Sequence, residues 1–201
     1  MNFDPKTISY DQHELLEWIK ELHCPDGFEV DASFGNGSFY KKSELPKHRF
    51  DLDWTLENCE FGSSTALPLM KESVKSVVFD PPFLTYVRQN RTGNGNMIMA
   101  KRFAGYWRYD ELENHYVNSL EEFHRVLQKK GIVVFKCQDI IHNHKMHCTH
   151  INVVNWADKI GFRLKDLFIL NAKSRMPRPN RKGKPKHARI YHSYFLVLEK
   201  L

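Results

Sequence analysis

The sequence predicts an α/β fold: a mostly parallel sheet with helices on both faces and an antiparallel end. Three observations carry this. Short apolar runs of strand character alternate with helical periodicity as far as residue 137. A glycine pair, Gly35 and Gly37, directly follows the first of those runs. Two β-rich runs, 164–170 and 191–200, then follow one another across a charged, proline-bearing stretch, which suits an antiparallel pair with a long connection.

The elements follow in order. "YDQHELLEWIKEL" (10–22) places Leu15, Leu16, Ile19 and Leu22 on one helical face. "FEV" (28–30) is a short strand running into Asp31, and the glycine loop and a short helix come next. "RFDLD" (49–53) and "CEFG" (59–62) read as the second and third strands, and "SVVF" (76–79) as the fourth, ending at Asp80. "YDELENHYVNSLEEFHRVLQKKG" (109–131) reads as a helix closed by lysines and Gly131. "IVVFKC" (132–137) is a fifth strand, and "HINVVNWADKIGF" (150–162) a helix with Gly161 near its end. In sheets of this kind ligands bind at the carboxyl ends of the strands, near the point where strand order reverses. Asp31, Asp51 or Asp53, Asp80 and Asp139 all stand at such ends.

"DASFGNGSF" (31–39) is Asp-x-x-x-Gly-x-Gly between a strand and a helix. Glycines let backbone turn tightly and approach a ligand. Asp51 and Asp53, 20 and 22 residues beyond Asp31, are placed to accept both hydroxyls of a ribose. Ser38, Phe39 and Tyr40 stand where a dinucleotide fingerprint would continue to its third glycine, which favours a smaller nucleoside ligand.

These residues resemble the first motif of class I S-adenosylmethionine (SAM) methyltransferases. The resemblance covers nearly the whole chain: a leading helix, the glycine loop, acids at the second strand, "GSSTALPL" (62–69) after the third, and Asp80-Pro81-Pro82-Phe83 after the fourth. It implies a Rossmann-like, seven-stranded, mostly parallel sheet with an antiparallel last strand, and SAM as cofactor. Asp31, Ser33, Phe34, Gly35, Gly37, Asp51 and Asp53 are the implied cofactor residues. Many family members have Asp or Asn after the third strand for the adenine amino group; Ser63 and Ser64 stand there instead.

The DPPF run looks like the catalytic motif of family members that methylate amino groups of planar bases, the DNA N6-adenine and N4-cytosine enzymes among them. The chemistry suits it. An exocyclic amine is a poor nucleophile because its lone pair is delocalised into the ring. Asp80 can accept one N–H and the Pro81 carbonyl another, turning the lone pair toward a sulfonium methyl. Pro81 and Pro82 stiffen the acceptors in advance, and Phe83 offers a face for the base.

The charge pattern points the same way. The chain is +6 overall, yet residues 173–189 hold eight Lys/Arg and no acid, leaving 22 basic against 24 acidic residues elsewhere. A cationic arm on a near-neutral body suggests a polyanion, and nucleic acid first. Arg175, Arg178, Arg181 and Lys182 are its expected phosphate contacts. A second basic and aromatic stretch, 84–107, carries Tyr86, Arg88, Arg91, Lys101 and Arg102 and is the expected substrate loop.

With 41% apolar residues the chain suffices for one domain, 1–201. No run is apolar enough for a membrane span, and the four cysteines lack paired spacing, so buried thiols and an intracellular, cytoplasmic setting are expected, without a membrane partner. "HNHKMHCTH" (142–150) is rich in ligand types but lacks zinc-site spacing, so a polar loop is expected and no metal. Together these features predict a SAM-dependent methyltransferase of nucleic-acid bases, with adenine N6 in DNA first. A ribosomal- or transfer-RNA base N-methyltransferase is the alternative, and a catalytically silent nucleic-acid-binding module the third possibility.

Overall fold

The computed structural model describes residues 3–53, 57–85, 106–174 and 184–201. A two-residue strand β1 (Ile8–Ser9) precedes helix α1 (Gln12–His23). Asp11 caps α1 by accepting from the His13 amide at 2.9 Å, as a short acidic side chain does at an N-cap. Leu15, Leu16 and Ile19 are fully buried, but Leu22, expected on the same face, is exposed. Strands β2 (Val30–Asp31), β3 (His48–Asp51), β4 (Glu60–Phe61) and β5 (Val74–Phe79) follow, with one 3₁₀ turn (Ser38–Tyr40) after the glycine loop. Then come helix α2 (Tyr109–Val126), β6 (Leu127–Cys137), β7 (Ile140–His142), β8 (Lys145–His147), helix α3 (Thr149–Ile160), β9 (Phe162–Asn171) and β10 (His192–Lys200).

Eight strands form the main sheet in the order β1-β9-β10-β6-β5-β2-β3-β4. β2, β3, β4, β5 and β6 run parallel, and β10 is antiparallel to both β6 and β9. The expected α/β architecture and antiparallel last strand are present. The strand count is eight rather than seven because the leading segment adds an edge: Ile8 and Ser9 pair with Ile169 and Leu170.

The central strands are buried on both faces. Val78, Ile132, Val134, Phe195 and Val197 pack with Leu15, Leu16 and Ile19 of α1. The alternate residues Val77, Phe79, Val133, Phe135 and Leu196 pack with Leu112, Tyr116, Leu120 and Phe123 of α2 and Val153 and Ala157 of α3. Period-two alternation thus divides one apolar run between two cores, and helices cover both faces.

Two local expectations are corrected. The helix expected to run to Gly131 ends at Val126, and residues 127–137 are strand. Its last carbonyls are taken before the lysines begin: Glu72 and Ser73 amides donate to the Arg125 and Val126 carbonyls at 2.9 and 2.8 Å. The buried Lys200 ammonium donates to the His124 and Leu127 carbonyls, each at 2.7 Å. Gly131 serves a bulge instead: a Cβ there would stand 2.8 Å from the Gln128 carbonyl oxygen. The histidine-rich run, expected as a polar loop, folds into the β7–β8 hairpin. Asn143 and His144 both take positive φ (50° and 61°) at its tip, the conformation that two-residue hairpin turns demand.

Candidate active site at the sheet reversal point

β2 and β5 are neighbours in the sheet. From β2 the chain moves outward through β3 and β4, then crosses back to β5, so the connections leave this pair in opposite directions. A crevice opens at such a point, beyond the carboxyl ends of the strands. Asp31 ends β2 and Asp80 directly follows β5.

Asp31 is 1% exposed. Its Oδ1 accepts from the Ser33 amide and its Oδ2 from the Tyr40 hydroxyl, each at 2.7 Å. Burial pushes its carboxyl up to about 7 against the effect of those two bonds, and the nearby Asp80 charge adds to the rise. Burial and the Asp31 charge together hold the Tyr40 phenol well above its ordinary range. The Ser33 hydroxyl accepts from the Asp80 amide at 2.8 Å and lies 3.4 Å from Asp31 Oδ1. One serine therefore couples the glycine loop to the DPPF turn.

The loop is held open-handed. The Phe34 amide donates to the Phe50 carbonyl at 3.0 Å, and the Gly35 amide to Asp51 Oδ2 at 2.8 Å. Asp51 Oδ1 accepts from the Asp53 amide at 2.9 Å; Asp51 is half-buried and Asp53 exposed. Gly35 has φ +57°, and nothing lies within 4 Å of where its Cβ would be. At Gly37, φ +71°, a Cβ would stand 2.9 Å from Phe34 Cζ. The Phe34 ring, 4% exposed, stacks on Tyr40 at 6.0 Å and supports the loop from beneath.

Of the two serines after β4, Ser64 is buried and turned into α2, bonded to His115 Nε2 at 2.8 Å and Ser119 Oγ at 2.9 Å. The Tyr106 hydroxyl bonds the other His115 nitrogen. Ser63 is half-buried and bonded to Thr65 Oγ1 at 2.8 Å, which leaves it the more accessible of the pair.

In the DPPF turn, Asp80 Oδ2 accepts from the Lys136 ammonium at 3.2 Å. Asp80 Oδ1 is buried and has no hydrogen-bond partner among the described residues. Leaving a buried acceptor unsatisfied costs about 1–3 kcal/mol, so such an atom calls for a reason. The turn around it is braced. Pro81 is buried, the Pro82 carbonyl accepts from the Tyr116 hydroxyl at 3.0 Å, and Thr85 Oγ1 bonds His142 Nδ1 at 3.0 Å. Phe83 is half-buried.

The fourth strand-end acid is committed elsewhere. Asp139 accepts from the His150 amide and ring at 3.2 and 2.7 Å and from the Tyr194 hydroxyl at 3.3 Å, tying β6 to α3 and β10. Burial first, and the Asp139 charge second, push the Tyr194 phenol up to about 12. His142 bonds Thr85, the His147 ring lies 3.8 Å from the Tyr109 ring, and His150 serves Asp139. No group of three metal-ligating side chains occurs among the described residues.

Tyr86, Arg88, Arg91, Lys101, Arg102, Arg175, Arg178, Arg181 and Lys182 lie outside the described residues. The ends of their segments do not. The substrate loop leaves from Thr85, just past Asp80, and returns at Tyr106 beside His115. The basic arm joins Asn171 to His192, which face each other in register two residues beyond the Tyr194–Cys137 pair, at the carboxyl end of β6. Both segments start and finish at the edge that carries Asp31 and Asp80.

Tyr40, Tyr116, Gln12 and Lys136 were not singled out by the sequence patterns. Lys136 left a readable signal, a lone charge inside the apolar strand "IVVFKC".

No family model and no curated protein matches the sequence. Solved structures do. A Galdieria sulphuraria protein, provisionally named a sarcosine dimethylglycine methyltransferase, aligns with 86% of this chain and 77% of its own at 11% identity and TM-score 0.50. A Thermus thermophilus protein, provisionally named a DNA modification methylase and crystallised with S-adenosyl-L-methionine, aligns with 66% of this chain and 50% of its own at 20% identity and TM-score 0.44. The cytosine-N4-specific PvuII DNA methyltransferase aligns with 70% of this chain and 48% of its own at 17% identity and TM-score 0.48. This chain spans about half the length of those two DNA methylases. With the Galdieria protein it shares an α/β fold, and the strand order of this chain places the reversal point where Asp31 and Asp80 stand.

Proposed function

We propose that residues 1–201 form a SAM-dependent methyltransferase domain acting on an exocyclic amino group of a nucleic-acid base, adenine N6 in DNA first. Asp80 Oδ1 carries the proposal: a buried, stiffly mounted acceptor with no partner among the described residues, at the ligand edge of the sheet.

The site suits the cofactor. SAM would supply an electrophilic methyl group on a sulfonium sulfur. Gly35 gives backbone that a ligand can approach, and Asp51 and Asp53 stand beside it for ribose hydroxyls. Asp31 and Asp80 repel one another, and one cation, Lys136, contacts Asp80. A ligand bearing sulfonium and ammonium charge adds further compensation, and would favour ionised Asp31.

Asp80 then accepts a hydrogen bond from one N–H of the base amine, and the Pro81 carbonyl one from the other. Two acceptors in line rehybridise the nitrogen before attack. The carboxylate also faces the positive charge that develops on that nitrogen, held in place before the reaction begins. Phe83 stacks the base, which leaves the helix first if the substrate is duplex. The basic arm, 173–189, and the loop 84–107 are the proposed source of phosphate contacts.

The deciding experiment incubates purified protein and methyl-labelled SAM with duplex DNA, single-stranded DNA and RNA, then digests each to nucleosides. Label in N6-methyladenine from DNA is the expected result. Label confined to RNA moves the substrate to the RNA alternative. Binding of nucleic acid with no label in any polymer leaves only a binding module and overturns the enzyme assignment.

A further inference from the structure

We infer that Lys136 is a positioning residue, which fixes Asp80 so that Oδ1 alone is offered to the substrate amine. This rests on the assignment of Asp80 proposed above.

A buried lysine near the carboxyl end of a central strand is costly, since its charge must be compensated inside the protein. Lys136 is 9% exposed and flanked by Phe135 and Cys137, both fully buried. Its ammonium is confined on every side given by the structure. Asp80 Oδ2 accepts at 3.2 Å and Gln12 Oε1 at 2.9 Å. The Phe39 and Phe195 rings lie 5.0 and 5.5 Å away, within the range where an aromatic face attracts a cation. Gln12 is held in turn, its amide donating to the Phe39 carbonyl at 3.2 Å. An ammonium so enclosed cannot follow a moving carboxylate. The Asp80 amide is pinned to Ser33 and Oδ2 to Lys136, so the side chain has one oxygen left to present. The same charge stands against the Asp31–Asp80 repulsion, which lets both carboxylates occupy one crevice. Lys136 touches neither the methyl group nor the base; it acts through Asp80.

Four variants test this: K136M, K136R, D80N and the double variant D80N/K136M. K136M should lower kcat on the order of 10- to 100-fold, the scale of a slightly misplaced catalytic group. SAM affinity by calorimetry should stay within about threefold. K136R should recover most of the loss. The double variant should be no slower than D80N alone, since Lys136 has nothing left to position. Should K136M fail to fold by circular dichroism, K136Q carries the same cycle. An unchanged kcat, a loss confined to SAM affinity, or losses that multiply in the double variant would overturn the inference while leaving the methyltransferase assignment standing. A wild-type protein that methylates no polymer overturns both.

Discussion

Asp31 should make the ligand-free protein lose stability as pH rises from about 4 to about 7. Its carboxyl is buried and titrates at about 7, whereas in an unfolded chain it titrates near 3.8. The folded state therefore binds one more proton than the unfolded state between those values, and stability falls with pH across that window. The gap is about three pH units, or about 4 kcal/mol at 1.36 kcal/mol per unit. Above pH 7 the carboxylate is charged in both states and the loss is complete; below pH 4 it is neutral in both and the loss is absent. Other groups titrate in the same range. Burial lowers His115, His124 and His147, which adds stability as pH rises. The comparison that isolates Asp31 is wild type against Asp31→Asn, by urea unfolding from pH 4.5 to 8. The asparagine keeps an acceptor for the Ser33 amide and removes the titration. The variant should gain on wild type steadily from pH 4.5 to 7, by about 3 kcal/mol over that range, and the two curves should run parallel beyond. SAM added to wild type should reduce the difference and be accompanied by proton release that changes with pH between 5 and 7. A stability difference that stays flat from pH 4.5 to 8 would refute the account, because Asp31 would then be ionised without cost in the folded state.

Three further outcomes are expected. Asp80→Ala should retain SAM binding and lose on the order of 100- to 1,000-fold in rate, and Asp80→Asn, which keeps a carbonyl oxygen, should retain partial activity; steady-state kinetics beside calorimetry check both. Gly35→Val should fold less stably, because φ +57° strains a β-branched residue, and should weaken SAM binding, because its side chain enters the space that now faces the loop; equal affinity in a folded variant would move the cofactor elsewhere. Neutralising Arg175, Arg178, Arg181 and Lys182 together should weaken binding to all nucleic-acid sequences alike and flatten the slope of log affinity against log salt; an unchanged slope would remove the arm from the interface.

The architecture was legible because strands buried on both faces are continuous apolar runs, and "SVVF" and "IVVFKC" could hardly be anything else. The candidate acids were legible for a related reason: Asp31 and Asp51 end β2 and β3, Asp80 directly follows β5 and Asp139 lies two residues past β6, and position alone picks them out. What the pattern could not show was which acids are already spoken for. Asp139 reads like Asp80 in the sequence, yet one is consumed by His150 and Tyr194 while the other keeps an oxygen with no partner among the described residues. That difference depends on contacts between residues far apart in the chain. The helix end was misplaced because "QKKG" has the composition of a helix terminus, and the competing capping group, Lys200, lies 73 residues beyond Leu127. The β1 edge strand and the histidine hairpin were too short for periodicity to register.

The position of β10 has a consequence for how the protein is made. It comes later in the chain than every other described strand, yet it lies between β6 and β9. During synthesis, β2 through β6 can associate as they emerge, but β6 then presents an open, apolar edge with no neighbour. β9 and β1 have no place in the sheet until β10 arrives to join them to it. Until that moment the nascent chain carries an unpaired strand edge, the feature that invites intermolecular pairing. The final insertion also delivers Lys200 to the carboxyl end of α2, so the strand that closes the sheet completes that helix in the same event.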